Sequence, residues 1–213
     1  MAFPMPLAPH ILRLCLVTDR GLARGRPLAD IVEAAVRGGV TLVQLREKTA
    51  TTRAFVEDAR ALKALLAALG VGLIVNDRLD IALAVDADGL HVGQSDMPVE
   101  EVRRLLGPDK IVGLSITDAT EIGRPDAEAA DYLGLGPVYP QQTKDDASPA
   151  LGVEGFAKLR AMTRKPVVAI GGLKPDNSAP LLAAGADGLA VVSALVAADD
   201  PEAAARRFMR LFG

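Results

Sequence analysis

Cysteine, aromatic side chains and an excess of one charge are all scarce in this chain, and each shortage closes off a class of protein. One cysteine, Cys15, stands among 213 residues. A disulfide framework needs two, and a zinc site built from thiolates needs more, so neither is available within the chain. Cys15 falls inside an apolar run and is expected to be a small buried hydrophobe. Aromatic residues amount to 3% and tryptophan is absent, which weakens any role in stacking nucleic-acid bases. Lys+Arg number 24 against 27 Asp+Glu, for a net charge of -3. No broad basic field exists to hold a nucleic-acid backbone. No apolar run reaches the roughly 20 residues that span a bilayer. The N-terminal stretch carries Pro4, Pro6 and Pro9 without Lys or Arg before Arg13, so it lacks the basic start and unbroken apolar stretch of a signal peptide. A soluble, cytoplasmic protein is expected, with neither nucleic acid nor membrane as partner.

Apolar residues, by contrast, are plentiful at 50%, enough for a sizeable core. They come as short runs bounded by Gly, Asp or Pro, which predict strands at Leu14–Thr18, Thr41–Arg46, Gly72–Asn76, Gly89–Val92, Ile111–Ile116, Tyr132–Leu135, Val167–Ile170 and Gly188–Ser193. Between them, Ala-, Leu- and Arg-rich stretches predict helices at Leu28–Arg37, Thr51–Ala68, Arg78–Val85, Val99–Leu106, Asp118–Ala130, Val153–Met162, Asn177–Ala184 and Pro201–Leu211. Gly123 and Pro125 interrupt the fifth helix, which is expected to be short and to begin again near Asp126. Eight strands in strict alternation with helices imply a parallel sheet, and eight repeats close naturally into a (β/α)8 TIM barrel. The expected organisation is a single barrel domain over residues 1–213, with 1–11 as an N-terminal extension. An echo of the form A-D-x-L opens the fourth, sixth and eighth strands at Asp88, Asp131 and Asp187. An Asp at a strand start lies on the N-terminal face, where barrels keep stabilising residues, so these three are expected to be structural.

Working residues in such a barrel gather at the C-terminal ends of the strands and in the loops that follow. After the second strand stands Gln44-Leu45-Arg46-Glu47-Lys48. Gln44, Arg46 and Lys48 share one side of an extended chain, while Leu45 and Glu47 take the other. An amide and two cations pointing together make an anion site, although spacing alone fits a solvated basic loop equally well. Asn76-Asp77-Arg78 follows the third strand, and Asp77 taken alone fits a helix cap better than a ligand. Asp96, after the fourth strand, could likewise cap a helix. Together, two carboxylates on adjoining loops beside an anion site suit Mg²⁺ held against phosphate oxygens. His91 falls mid-strand and is expected to line the barrel. Ser115 ends the fifth strand. The sixth is followed by a long loop, Gly136 to Lys144, which fits a lid or a plain surface loop. Gly171-Gly172 follows the seventh strand and Val192-Ser193-Ala194 ends the eighth, where barrels commonly bind a phosphate with backbone N–H groups. Two anion sites on one rim suggest joining two phosphorylated small molecules, or moving a group between them.

The ordered set resembles the thiamine phosphate synthase family. It comprises Gln44–Lys48, Asn76-Asp77, Asp88–Asp96, Gly134–Pro140 with Thr143-Lys144, Gly171-Gly172 and Val192–Ala194, and the likeness runs from about Leu14 to Pro201. The resemblance implies that 4-amino-2-methyl-5-hydroxymethylpyrimidine diphosphate condenses with a thiazole phosphate, in its carboxylated form, to give thiamine phosphate and diphosphate. It implies that Gln44, Arg46, Lys48, Asn76 and Lys144 hold the pyrimidine diphosphate, with Leu45 and Glu47 inside the same binding run. Asp77 and Asp96 would ligate Mg²⁺ as cofactor, and Ser115 would meet the pyrimidine. Gly172, Val192 and Ser193 would hold the thiazole phosphate, helped by Gln141, Gln142 and Thr143. The same resemblance implies that Lys48, Lys144 and Ser115 stand closest to the chemistry. The chain departs from the family pattern twice. Gln141 replaces the first Thr of T-x-T-K, and Ile116-Thr117 follows Ser115 where a histidine is common. Two other readings keep the barrel but change the role: a thiazole tautomerase paralogue that binds the thiazole phosphate alone, and a non-catalytic phosphate-ligand binder.

Overall fold

Runs of leucine, isoleucine and valine form every strand of the sheet, none longer than six residues. The computed structural model of the chain describes residues 7–141 and 149–213. The strands are β1 (Leu14–Val17), β2 (Leu42–Leu45), β3 (Gly72–Asn76), β4 (Gly89–Val92), β5 (Ile111–Ile116), β6 (Tyr132–Leu135), β7 (Val167–Ile170) and β8 (Gly188–Val191). All pair in parallel in chain order, and β1 pairs with β8, so the sheet is a closed eight-stranded barrel. Helices make the crossovers: α1 (Leu28–Arg37), α2 (Thr52–Leu69), α3 (Leu79–Ala84), α4 (Val99–Leu106), α5 (Ala119–Ile122), α6 (Pro125–Ala129), α7 (Gly152–Arg160), α8 (Pro175–Ala183), α9 (Ser193–Val196) and α10 (Pro201–Met209). The fifth crossover is two short helices, split by the glycine and proline that the sequence places there. The expected eighth strand runs two residues too far, because Ser193 opens α9 instead of ending β8. None of these helices is long and apolar enough to cross a membrane, among the described residues.

Strand alternation divides the core in two. Val43, Leu45, Leu73, Val75, Leu90, Leu133 and Leu189 turn outward to meet the helices, among them Phe55, Phe156 and Phe208. Cys15, Leu42, Ile74, Ile111, Tyr132, Val168 and Ala190 turn inward and fill the barrel. The bottom is stoppered from the N-terminal side by a short 3-10 turn, Pro9–Leu12, whose Ile11 and Leu12 join Leu7 in the interior cluster. Part of the expected N-terminal extension is therefore core. Burying each such side chain contributes roughly 1.5–3 kcal/mol. Gly188 makes room for the stopper, since a Cβ there would lie 1.8 Å from the Leu12 carbonyl oxygen.

The three A-D-x-L aspartates repeat one device around the bottom rim. Asp88, Asp131 and Asp187 accept the backbone N–H of Leu73, Val112 and Val167 at 2.8, 2.7 and 2.8 Å. Each also meets a cation from an outer helix: Lys63 of α2 at 2.6 Å, Arg103 of α4 at 2.5 Å and Arg160 of α7 at 3.6 Å. A carboxylate so placed ties a strand to its neighbour and pins a helix over both.

Candidate active site

The opposite rim is stitched from loop to loop in strand order. Past the end of β1, the buried Thr18 hydroxyl accepts the Arg46 N–H at 3.0 Å, and the Thr18 N–H donates to the Gln44 carbonyl at 2.9 Å. These bonds carry the β1–β2 ladder two residues further and fix the start of the basic run. The Arg46 guanidinium then donates to Asp19 at 3.2 Å. Lys48 reaches across to the next loop and meets Asp77 at 2.6 Å. Asp77 donates its own N–H to the His91 carbonyl at 2.8 Å, tying the third loop to β4. In the fourth loop Gln94 donates to the Ser115 carbonyl at 2.8 Å, tying that loop to β5. The sixth loop runs on along β7, with Val138 and Tyr139 donating to the Ile170 and Gly171 carbonyls at 2.9 and 3.0 Å.

The two aspartates are neighbours, and neither caps a helix. Asp77 has φ 62, a left-handed conformation that Asp tolerates better than most residues but that still stores strain. The α3 N-cap is Arg78, without a side-chain cap. Asp96 folds back on its own loop, accepting the Gly93 N–H at 2.7 Å. The α4 N-terminus takes its acceptor from α6 instead, where Asp126 receives the Val99 N–H at 2.8 Å. Burial raises the Asp96 carboxyl above its ordinary range; the Gly93 N–H opposes this, the Asp77 carboxylate adds to it and Lys48 moderates it. Two carboxylates facing each other with one ammonium between them are short of positive charge.

The expected residues divide by where the structure puts them. Arg46, Lys48, Asn76, Asp77, Asp96 and Ser115 belong to β2–β5 and the loops that follow them. Gln44 lies deeper, 4% exposed, with its carboxamide toward the Tyr132 hydroxyl. Leu45 is buried in the outer core, and Glu47 turns from the mouth: its carboxylate takes Arg20 at 2.7 Å and the Thr49 and Ala50 amides at 2.8 and 3.1 Å. Whatever these two give a ligand is backbone. Gln141 is the last described residue before the gap. Gln142, Thr143 and Lys144 lie outside the described residues.

Across the mouth, Gly171 and Gly172 have φ 101 and 66. A Cβ on Gly171 would meet Pro137 Cα at 2.6 Å, and one on Gly172 would meet Tyr139 Cβ at 2.7 Å. The sixth loop thus requires both glycines whatever ligand is bound. Asn177 holds the turn, donating to the Gly172 carbonyl at 3.0 Å. On the neighbouring strand, Val192 and Ser193 form the start of α9, where the first N–H groups have no acceptor within the helix. Sequence reasoning missed Asp19, Gln94, Asn177 and Tyr132 as parts of this rim and its support. Asp19 carried the best signal, an acidic residue directly after a strand end.

A family model described as thiamine monophosphate synthase matches residues 14–195. The chain belongs to the thiamine monophosphate synthase family. Among the similar members, the thiamine-phosphate synthase of Albidiferax ferrireducens is 53% identical over 200 residues, covering 94% of this chain and 91% of the other. That of Chloroflexus aurantiacus is 52% identical over 204 residues, covering 95% and 94%. A solved thiamine phosphate pyrophosphorylase from Pyrococcus furiosus superposes with a TM-score of 0.86 at 37% identity, covering 95% of this chain and 96% of that one. A 3-hexulose-6-phosphate synthase at 17% identity and TM-score 0.67 shares the fold alone. The matched span, residues 14–195, runs from the start of β1 into α9.

Proposed function

We propose that this mouth joins 4-amino-2-methyl-5-hydroxymethylpyrimidine diphosphate to 4-methyl-5-(2-phosphoethyl)thiazole, supplied in its carboxylated form, yielding thiamine phosphate and diphosphate in thiamine biosynthesis. The observation that carries the reading is the junction of Lys48 with Asp77, beside Asp96. It puts a cation and two acids from three successive loops on one rim, in a chain about half identical to thiamine-phosphate synthases along its length. A pure thiazole phosphate binder has no use for that acidic and basic cluster.

In this reading the thiazole nitrogen attacks the pyrimidine methylene, the carbon–oxygen bond to diphosphate breaks, and the leaving group takes the electron pair. The thiazole carboxylate is lost as carbon dioxide, and the electron pair it leaves is taken up with a proton from solvent on the thiazole unit. Arg46 and Lys48, with Lys144 from the sixth loop, hold the diphosphate and stabilise the charge it gains. Asn76 and Ser115 orient the pyrimidine. The Gly172 turn and the start of α9, at Val192 and Ser193, hold the thiazole phosphate, with Gln141, Gln142 and Thr143 alongside. No side chain has to act as nucleophile, so positioning and electrostatics carry the rate.

The acidic pair fits Mg²⁺. Among the described residues no group of three or more His, Cys, Asp or Glu is placed to hold a metal. Mg²⁺ commonly takes one or two carboxylates and completes its shell with water and substrate phosphate oxygens. Asp77 and Asp96 would hold it, and their mutual repulsion is the deficit a divalent ion relieves. When bound, it would neutralise carboxylates and diphosphate together. Because phosphorylated substrates do not diffuse freely through bilayers, the reading also carries a cytoplasmic location. Purified protein given both substrates and Mg²⁺ should release diphosphate, and a chelator should stop it. Thiazole isomerisation without diphosphate release would overturn the assignment.

A further inference from the structure

Below the mouth, on the barrel axis, lies a row of polar groups for which the reaction above gives no role. Strand register sets His91, Gly113 and Tyr132 side by side on β4, β5 and β6. Gly113 is what allows the two rings to meet. A Cβ there would lie 2.3 Å from Tyr132 Cζ and 2.5 Å from His91 Nδ1. Their ring centroids are 5.5 Å apart, with His91 Nδ1 at 2.8 Å from the Tyr132 hydroxyl oxygen. On its other side His91 Nε2 stands 2.9 Å from Ser115 Oγ. Both rings are buried, at 6% and 2% exposure, and a small cavity touched by Cys15, Gln44 and Ile170 adjoins them.

The order of donors along this row follows from burial. Taking a phenol out of water disfavours the phenolate, so the Tyr132 hydroxyl keeps its proton. The Gln44 side chain lines the same cavity beside the ring. A buried hydroxyl gives its proton to an acceptor within reach, so Tyr132 donates to His91 Nδ1. A neutral imidazole that accepts at Nδ1 carries its proton on Nε2, and that proton points at Ser115 Oγ. With its oxygen engaged from below, Ser115 has its own O–H left for the mouth.

We propose that Tyr132 and His91 form a one-way hydrogen-bond relay that fixes Ser115 as a donor toward the bound substrate, so that the ring placed there must present a lone pair. Both are positioning residues, acting through Ser115. A pyrimidine ring nitrogen offers the required acceptor, and a ring carrying N–H at that point would leave two donors opposed and unpaired, a strong basis for rejection. The inference rests on the reading that Ser115 meets the pyrimidine.

The chain has two histidines, His10 and His91, so long-range ¹H–¹⁵N NMR of labelled protein reads His91 directly, with the exposed His10 as internal reference. The Nε2–H tautomer is expected at neutral pH, and the Nδ1–H tautomer overturns the relay. Kinetics supply the second arm. Tyr132→Phe removes the donor while keeping the ring, and should lower kcat about fivefold to tenfold, the worth of one hydrogen bond, without changing KM for the thiazole phosphate. In a Ser115→Ala background the same substitution should cost nothing further. Losses that multiply in the double variant would make Tyr132 merely structural and overturn the proposal. His91→Gln, which can still reach Ser115 with an N–H, should retain more activity than His91→Ala, and equal losses count against the relay. The NMR arm needs only folded wild-type protein. It reports on the relay even if diphosphate release fails, so failure of the functional reading is seen separately.

Discussion

The two rims of the barrel use the same residue types to opposite ends. At the bottom, Asp88, Asp131 and Asp187 are each matched locally: one strand N–H and one helix cation per carboxylate. At the top, Asp77 and Asp96 face each other and share Lys48, and Asp77 holds a backbone conformation that favours glycine. Arranging charges to satisfy one another gives a clamp. Leaving them partly unmatched gives a site, because the missing partner is then the ligand. Fold stability and chemistry are thus placed about one strand length apart on the same scaffold.

The largest effect that would sharpen this contrast lies at the top. Asp77→Ala and Asp96→Ala should each lower turnover about 10²–10³-fold, the range for removing one electrostatic group from a preorganised site. The melting temperature should stay close to wild type for Asp96→Ala, whose carboxylate neither caps a helix nor clamps a strand, and should fall slightly for Asp77→Ala, because alanine tolerates φ 62 less well than aspartate. Full activity in both variants would remove the acidic pair from the chemistry and reduce the top rim to another set of clamps. The converse test lies at the bottom. Asp88→Ala and Asp131→Ala each take the carboxylate from a largely buried cation, with Lys63 and Arg103 side chains 22% and 24% exposed, although Arg103 keeps the Gly107 and Lys110 carbonyls. A loss of about 2–3 kcal/mol is expected for a partly buried pair, or roughly 4–12 °C in melting temperature. Turnover per folded molecule should not change. An active-site defect in a stably folded Asp131→Ala protein would break the division between rims.

How far this division could be seen in the sequence depends on the range of the contacts. A barrel with strands in chain order makes successive loops neighbours, so placing Arg46, Lys48, Asp77, Asp96 and Ser115 together needed only the strand ends. The bottom aspartates were legible because the A-D-x-L echo repeats a local device. Depth was not legible. That Gln44 faces Tyr132, or that Gly113 opens space between two rings, depends on register across β4, β5 and β6, and short apolar runs do not encode register on their own. Cross-element caps were invisible for a similar reason: Asp96 seemed free to cap α4, but Asp126 of α6 does so from 27 residues away in sequence. The four residues Ser193–Val196 are too few to show a helical period, so α9 went unseen and its first residue was given to the strand before it.

Glu47 gives the smallest effect and the finest test, because it is a top-rim residue built like a bottom clamp. Burial alone would raise its pKa, but the Arg20 guanidinium and the Thr49 and Ala50 amides overcome that and lower it from 4.5 to about 2. A carboxylate whose folded pKa is depressed contributes stability that is present above its unfolded value and lost as pH falls through the folded one. The contribution should therefore be whole above about pH 4.5 and should fade toward pH 2. Solvent around Arg20, whose side chain is 46% exposed, screens the pair, so Glu47→Gln should destabilise by about 1–2 kcal/mol at neutral pH. Melting curves of wild type and variant should converge as pH drops across that window, and kcat should hold while KM for the pyrimidine diphosphate rises slightly as the Lys48 loop loosens. A gap between the two curves that stays constant down to pH 2 would mean that Glu47 is held by shape and not by charge, and that a matched carboxylate behind the top rim does not behave as its counterparts below do.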